Sequence, residues 1–363
     1  MKKIIMTGGG TAGHVNPNIA LFPILKEHGY DISYIGSYNG IEKELIEEQG
    51  IDYHPISSGK LRRYMDVKNF TDPFRIVRGY RQALSLMKKL SPDVVFSKGG
   101  FVSVPVVFAA AKRKVPVIIH ESDMTPGLAN RLAIPKAARV CCNFPETLSH
   151  LPPEKAIFTG SPIRKELLDG NRQKGLALCG FDEDKPVLLV IGGSSGARHI
   201  NDTIRKILPS LLPRFRVVHL CGAGMLDESL VVKKGYTQFE YSKNGLKHLF
   251  AAADIVVSRA GANAILEILA LKKPNILIPL PLSASRGDQI LNANSFKTQG
   301  FSRVLYEEEC EDISESDILT PDTLLHEINE VYDQRNYYQN QMKNSKAPDA
   351  INTIFRIIEK ASS

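Results

Sequence analysis

The sequence lacks tryptophan, and only 7% of its 363 residues are aromatic, so its cores must depend on Ile, Leu, Val and Ala. It also lacks an apolar run long enough to cross a bilayer, which takes about 20 residues; residues 104–111 form one of its longest runs. The apolar stretch at residues 4–6 is too short for a signal peptide. These absences predict that the chain is not an integral membrane protein, and they leave peripheral attachment open.

Metal-binding spacings are also missing. The five cysteines include the adjacent pair Cys141 and Cys142 but no C-x-x-C pair, which favours free thiols in a reducing cytoplasm over a zinc site. No Asp-x-Asp ligand set lies beside a glycine-rich loop. The sequence therefore predicts no metal and no other cofactor.

A dense run of basic residues is absent, although the net charge is +7. The longest basic cluster is at residues 60–63. This pattern favours anionic small molecules or an anionic membrane surface as partners, and it disfavours nucleic acid.

Apolar runs alternate with helix-length segments along the whole chain, which is typical of parallel strands covered on both faces. The plan of strand, glycine-rich turn and helix occurs twice, so the sequence predicts an α/β fold with two doubly wound units and a hinge near residues 161–164. A terminal amphipathic helix is expected at residues 350–360. The expected strands are at residues 3–7, 32–35, 93–97, 115–120, 187–191, 217–220, 254–258 and 275–279.

The first glycine-rich loop, at residues 8–13, satisfies G-x-G-x-x-G directly after a strand. A dinucleotide site also needs an acid at the end of the second strand, where this chain has Gly36 and Ser37. We therefore disfavour a dehydrogenase and expect an anion at the helix N-terminus. His14 is a candidate general base; the alternatives are a histidine that caps the turn and a turn that needs glycine only for its backbone.

The second glycine-rich loop, at residues 192–196, suits a diphosphate leaving group. Glu267 follows a third strand-to-helix turn and could bind the hydroxyls of a ribose, or it could be a solvated acid on a helix face. Asp288 and Gln289 open a later helix, where they could contact a sugar, or Asp288 could simply cap the helix.

Residues 73–81 mix apolar and basic side chains at helical spacing. This predicts either a surface helix at an anionic membrane or an amphipathic helix packed on its own domain. The proposed membrane patch consists of Phe74, Arg75, Ile76, Val77, Arg78, Tyr80 and Arg81.

Seven motifs in order along nearly the whole chain resemble the bacterial peptidoglycan N-acetylglucosaminyltransferase family that forms lipid II, in glycosyltransferase family 28. They are residues 9–15, 97–103, 120–130, 160–164, 192–198, 259–267 and 289–293. The resemblance implies a GT-B fold, with two facing Rossmann-like domains and a cleft between them. It places an acceptor- and membrane-facing domain at residues 1–163, completed by a helix at 345–363, and a UDP-N-acetylglucosamine-binding domain at 164–344.

The resemblance also implies site residues. His14 is the implied catalytic base, with Glu121 as its rival. Ser194 is implied to contact the diphosphate, Glu267 the ribose and Gln289 the transferred sugar. The remaining implied donor contacts are Thr11, Ala12, Gly13, Asp123, Arg164, Ala262, Asn263, Ala264, Ile265 and Leu266. The implied acceptor contacts are Gly99, Gly100, Ser103 and Asn130.

The chain departs from the family pattern at Ala12, where Gly is common, at Asp123, where many relatives have Asn, and at Asp288, where some members have Gln. The reaction implied is an inverting transfer of N-acetylglucosamine to the lipid-linked muramoyl-pentapeptide, at the cytoplasmic face of the cell membrane. The alternatives are another UDP-sugar enzyme with a soluble acceptor, a UDP-N-acetylglucosamine epimerase, and a non-catalytic sugar-nucleotide-binding protein.

Overall fold

A computed structural model describes residues 1–59, 72–193, 196–240, 242, 245–308 and 313–363. Three features of the sequence lie outside these ranges: Ser194, the basic cluster at 60–63, and Cys310. The chain divides into two compact units. Unit 1 comprises Met1–Arg164 and Ala347–Ser363, and unit 2 comprises Lys165–Lys346.

Unit 1 contains a parallel sheet of seven strands in the order β3-β2-β1-β4-β5-β6-β7. Alternate residues of β1 enter two different clusters, with Ile4 and Met6 in one and Ile5 in the other, so both faces of the sheet are buried. The strands are β1 Lys2–Thr7, β2 Tyr30–Ser37, β3 Asp52–Ile56, β4 Val94–Ser97, β5 Val117–Glu121, β6 Arg139–Cys142 and β7 Ala156–Phe158.

Helices cover the two faces of this sheet, and the last helix of the chain is one of them. Its apolar residues Ile354, Phe355 and Ile358 lie in the same cluster as residues of the first helix, which confirms the predicted amphipathic terminal helix. The helices of unit 1 are α1 Ala12–Glu27, α2 Ile41–Glu47, α3 Asp72–Leu90, α4 Ser103–Lys112, α5 Leu128–Ala133 and α14 Ala350–Ala361.

Unit 2 contains a second parallel sheet, of six strands in the order β10-β9-β8-β11-β12-β13. Its strands are β8 Val187–Ile191, β9 Arg216–Leu220, β10 Tyr236–Phe239, β11 Ile255–Ser258, β12 Asn275–Leu277 and β13 Arg303–Val304. Its helices are α6 Lys165–Leu168, α7 Arg172–Cys179, α8 Arg198–Leu211, α9 Leu246–Ala252, α10 Ala262–Leu271, α11 Asp288–Thr298, α12 Pro321–Asp333 and α13 Arg335–Lys343.

The predicted α/β class with two parallel-sheet domains is confirmed, and each of the eight expected strands is present within a few residues of its predicted position. One shift matters for the site: β5 extends to Glu121 rather than ending at residue 120. Within the described ranges, no helix has the length and hydropathy that a membrane crossing needs.

Each sheet reverses its strand order at one point, between β1 and β4 in unit 1 and between β8 and β11 in unit 2. Ligands of open α/β sheets bind outside the carboxyl ends of the strands at such switch points. The two predicted glycine-rich loops follow β1 and β8, so each loop lies at the switch point of its own unit.

Candidate active site

In unit 1, the loops after β1 and β4 are in close contact. Lys98 N donates to Thr7 O at 2.9 Å. Gly100 has φ of +83°, and a Cβ there would collide with Gly9 O, so the backbones can approach only because this residue is glycine. The predicted motifs at residues 9–15 and 97–103 therefore form one surface.

The first glycine-rich loop is held from beneath by two side chains. Tyr34 Oη donates to Gly8 O at 2.7 Å, and Gly10 N donates to Glu42 Oε2 at 3.2 Å. Glu42, on α2, is fully buried, and its carboxylate lies against the loop just before the N-cap of α1. Sequence patterns do not identify Glu42, because the dinucleotide-binding pattern has its acid at the end of β2, five residues earlier.

His14 is in the first turn of α1, and its ring is partly buried. Its Nδ1 lies 3.1 Å from Gly9 O and 3.2 Å from Thr11 Oγ1. A carbonyl oxygen can only accept a hydrogen bond, so Nδ1 carries the proton of the neutral ring and Nε2 keeps its lone pair. Among the described residues, no hydrogen bond to Nε2 is found. This is the tautomer that a general base acting through Nε2 requires.

The pKa of His14 is lowered to about 4, mainly because burial disfavours the charged ring and secondly because Lys98 is positive. Glu42 acts in the opposite direction, as does the hydrogen bond to Gly9. His14 is therefore neutral at physiological pH, and its basicity is set between a buried cation and a buried anion.

Lys98 is the buried cation; it directly follows β4 and is 1% exposed. Its Nζ donates to Ser122 Oγ. Burial lowers the pKa of Lys98 to about 8, and the nearby Glu121 and Asp123 oppose this shift. The sequence motif included Lys98, but sequence reasoning gave it no role.

Glu121, the last residue of β5, uses its whole carboxylate to shape the following loop. Oε1 accepts from the backbone N–H groups of Ser122 and Asp123 at 2.7 and 2.9 Å. Oε2 accepts from Gly127 N at 3.1 Å and from Asn130 Nδ2 at 2.8 Å. These donors fix the turn that carries Asp123 and the start of α5.

The four predicted acceptor residues lie together at this edge of the sheet. A Cβ on Gly99 would be 3.1 Å from Asn130 Oδ1, and Ser103 Oγ donates to Gly100 O at 2.7 Å. Thr11 is exposed at the N-cap of α1, and Ala12 and Gly13 are the first two residues of that helix. Arg164 is the last residue of the first segment of unit 1.

In unit 2, the described part of the second glycine-rich loop is shaped by glycines. Gly193 and Gly196 have φ of +90° and +76°, and a Cβ on Gly192 would be 2.8 Å from Ala197 N. Helix α8 begins two residues after Gly196. The loop therefore leads into a helix N-terminus, where negative charge is favoured.

A largely buried ion pair, with side chains 13% and 7% exposed, lies beside this loop. Arg259, just after β11, donates to both carboxylate oxygens of Glu307 at 2.8 and 3.0 Å. Arg259 also donates to Ile278 O at 3.2 Å, and His199 Nδ1 lies 3.3 Å from Glu307 Oε1. The cluster joins the loops after three strands of the sheet, and sequence reasoning did not identify Glu307 or His199.

The remaining predicted donor residues are on α10 and α11. Ala262 to Leu266 are the first five residues of α10, and Glu267 follows, half-buried. Gln289 Oε1 accepts from Leu280 N at 3.1 Å. Asn292 Nδ2 donates to Ala260 O at 3.1 Å, which ties α11 to the start of α10. The structure thus brings these residues to one edge of unit 2.

Helix α3 carries the predicted membrane patch. Phe74 is 79% exposed and Val77 is 50% exposed, and the three arginines of the patch are exposed. Tyr80 instead packs against the core of unit 1. The exposed apolar surface is therefore confined to the N-terminal half of the patch.

Among the described residues, no group of three His, Cys, Asp or Glu side chains is arranged to hold a metal ion.

Both halves of the chain match models of known domains. The N-terminal domain model of glycosyltransferase family 28 matches residues 4–142, and the C-terminal domain model matches residues 187–354. A protein of Lachnoclostridium phytofermentans is 63% identical over 360 residues, 99% of each chain, and one of Lachnospira eligens is 61% identical over 362 residues, 100% of each. Both are named UDP-N-acetylglucosamine–N-acetylmuramyl-(pentapeptide) pyrophosphoryl-undecaprenol N-acetylglucosamine transferase.

Solved structures show the same fold. The crystal structure of Acinetobacter baumannii MurG is 24% identical with a TM-score of 0.76, over 99% of this chain and 100% of that one. A UDP-GlcNAc 2-epimerase from Neisseria meningitidis, bound to UDP-GlcNAc, is 14% identical with a TM-score of 0.66, over 99% and 98%. The fold alone does not separate these activities, but the two family models together match most of the sequence. The chain therefore belongs to glycosyltransferase family 28.

Proposed function

We propose that this chain transfers N-acetylglucosamine from UDP-N-acetylglucosamine to the 4-hydroxyl of undecaprenyl-diphospho-N-acetylmuramoyl-pentapeptide, with inversion, to give lipid II. The observation that carries the proposal is the 61–63% identity, over 99–100% of the chain, to relatives named for this transfer. The arrangement of His14 supports it, because the reaction needs a base for a sugar hydroxyl.

In the proposed reaction, the acceptor O4 attacks the anomeric carbon of N-acetylglucosamine. Its proton passes to His14 Nε2, the new O4–C1 bond forms, and the C1–O bond to UDP breaks with its electron pair leaving on the diphosphate. We assign the base to His14 rather than Glu121, because both oxygens of Glu121 already accept hydrogen bonds that shape its loop. A pKa of about 4 makes free His14 a weak base, and anionic substrates near the ring would raise it.

Unit 2 is proposed to bind the donor. The helix N-terminus after Gly196 would stabilise the diphosphate, Glu267 would bind the ribose, and Gln289 would contact the sugar. Ala262 to Leu266 would shape the uracil pocket. Ser194, Thr11, Ala12, Gly13, Asp123 and Arg164 are proposed as further donor contacts on the family resemblance.

Unit 1 is proposed to bind the acceptor through Gly99, Gly100, Ser103 and Asn130. UDP release measured with and without the lipid-linked acceptor tests the whole proposal. Acceptor-dependent release with a disaccharide product supports it. Transfer only to soluble acceptors, release of UDP without transfer, or formation of an epimer would each overturn it in favour of an alternative.

We further propose that unit 1 attaches peripherally to the anionic cytoplasmic face of the cell membrane through α3. Its exposed Phe74 and Val77 lie among exposed arginines, which suits insertion at a charged surface. Replacing both by serine should abolish co-sedimentation with anionic vesicles at low salt. The matched control replaces Val231 and Val232 of unit 2, which are 66% and 92% exposed. Equal loss in both pairs, or no binding by the unmodified chain, contradicts this attachment.

A further inference from the structure

One peptide group in the first glycine-rich loop has both of its polar atoms engaged by functional side chains. The peptide joins Gly9 to Gly10. Its carbonyl oxygen accepts from His14 Nδ1 at 3.1 Å, and its N–H donates to Glu42 Oε2 at 3.2 Å. Glu42 and His14 are thus connected through a single planar, polarisable unit.

In each hydrogen bond that Glu42 makes with the described residues, its carboxylate is the acceptor. Besides Gly10 N, its donors are Ser37 N at 3.1 Å and Ser37 Oγ at 2.5 Å. The side chain is 0% exposed. A buried anion with several aligned donors is held in one position, and its field acts in a medium of low dielectric constant.

The glycines around Glu42 make room for this contact. A Cβ on Gly9 would be 2.5 Å from Glu42 Oε1, and one on Gly40 would collide with the same carboxylate. Gly9 and Gly40 both have negative φ, so their backbone conformations alone do not require glycine. A side chain is excluded at both positions because the carboxylate of Glu42 lies directly against the loop.

We propose that Glu42 is a positioning residue that acts on His14 through the Gly9–Gly10 peptide. The carboxylate polarises the peptide N–H, and this increases the negative charge on the carbonyl oxygen. The stronger acceptor holds the proton on His14 Nδ1 and so keeps the Nε2 lone pair available. The inference rests on the proposed function, in which His14 is the base. The carboxylate orients the imidazole as the acid of a catalytic triad does, but with a peptide in between.

The alternative is that Glu42 only holds the loop in shape. In that case, replacing Glu42 would lower kcat whether or not His14 is present. A double-mutant cycle separates the two ideas, because coupled residues are non-additive and independent ones are additive.

The experiment compares Glu42→Gln with Glu44→Gln in the full chain, each in the presence and absence of His14→Ala. Glu44 is an exposed acid on the same helix and serves as the matched control. We expect Glu42→Gln to lower kcat about tenfold with little change in the KM for UDP-N-acetylglucosamine. Glu44→Gln should have no effect on either constant. In the His14→Ala background, Glu42→Gln should cause no further loss of kcat. An equal further loss in that background would overturn the proposal.

The tautomer of His14 gives a readout that does not depend on activity. In chain carrying ¹⁵N-histidine, the His14 signals are identified by their absence in His14→Gln. We expect the unmodified protein to have protonated Nδ1 and unprotonated Nε2, and Glu42→Gln to show a share of the opposite tautomer. An unchanged tautomer contradicts the proposal.

Two further results keep the interpretation clear. If Glu42→Gln does not fold, Glu42→Asp is the second variant, because it retains the charge but withdraws it by one methylene from Gly10 N. We expect Glu42→Asp to show a smaller loss of kcat, and a wild-type kcat would overturn the proposal.

If His14→Ala itself retains normal transfer, the base assignment of the proposed function fails. If His14→Ala loses transfer while Glu42→Gln matches Glu44→Gln, only the role of Glu42 fails.

Discussion

The switch points of the two units contain the same pair of residue types in different arrangements. In unit 1, His14 is linked to Glu42 through a loop peptide, and the carboxylate of Glu42 accepts a hydrogen bond from Gly10 N. In unit 2, His199 meets Glu307 directly at 3.3 Å, but Glu307 is already paired with Arg259. In the part of the chain that the structure describes, no cation pairs with Glu42, so its charge can act on His14, whereas the charge of Glu307 is offset by Arg259.

The largest expected difference between the units is in kcat when the histidine of each is replaced. Replacing His14 by Ala should lower kcat by about two orders of magnitude or more, because the acceptor hydroxyl loses its base. Replacing His199 by Ala should change kcat by less than about fivefold, because Arg259 still pairs with Glu307. Steady-state transfer assays on both variants check this, and similar losses in the two would erase the distinction between the units.

The ion pair in unit 2 should matter for stability. Arg259→Leu leaves a buried carboxylate without its main partner and should cost about 2 kcal/mol of unfolding free energy. The double variant Arg259→Leu with Glu307→Leu should recover part of that loss. Calorimetric unfolding measures both; a double variant less stable than Arg259→Leu would contradict this account of the pair.

A side chain at position 100 would force apart the loops after β1 and β4 in unit 1. Its φ of +83° and its contact with Gly9 O leave no room for a side chain. Gly100→Ala should therefore cost about 1.5 kcal/mol and lower kcat as the loop moves. Gly127→Ala is the control, since a Cβ there meets nothing within 4 Å. Equal melting temperatures for the two variants would count against the tight contact.

The smallest effect expected is on pH dependence. The pKa of His14 is lowered to about 4. We therefore expect kcat/KM to stay constant as the pH is lowered past 6.5, and to fall only near pH 4, where the ring becomes protonated. Lys98→Met removes a cation that lowers this pKa, so the acidic limb should move to higher pH. Rate profiles in short assays measure the limb, and a shift to lower pH in Lys98→Met would have the wrong sign.

Sequence patterns predicted the interior strands better than the edge strands. Within the described ranges, the five strands not anticipated are β3, β6, β7, β10 and β13. Four of them are sheet edges, and β6 lies beside one. Edge strands are covered on fewer sides, so they are short and carry polar residues or proline, as Pro55 in β3 does. They lack the continuous apolar run that marks β1 or β8.

The family match anticipated which loops form the candidate site but not the charges beneath them. Residues such as His14 and Glu267 follow strand ends, and a parallel sheet brings strand ends to one edge. Glu42 and Glu307 reach their partners by tertiary contact from other elements, 32 and 48 residues away in sequence. No local spacing encodes such contacts, so only the folded structure reveals them.

Our central claim is that unit 1 provides the base and unit 2 binds the donor. The direct test measures the dissociation constant for UDP-N-acetylglucosamine and the single-turnover transfer rate at saturating donor, in His14→Ala and in Glu267→Ala. We predict that His14→Ala keeps the affinity and loses about 100-fold in rate, and that Glu267→Ala loses affinity and keeps most of its rate. Loss of the same property in both variants would contradict the account.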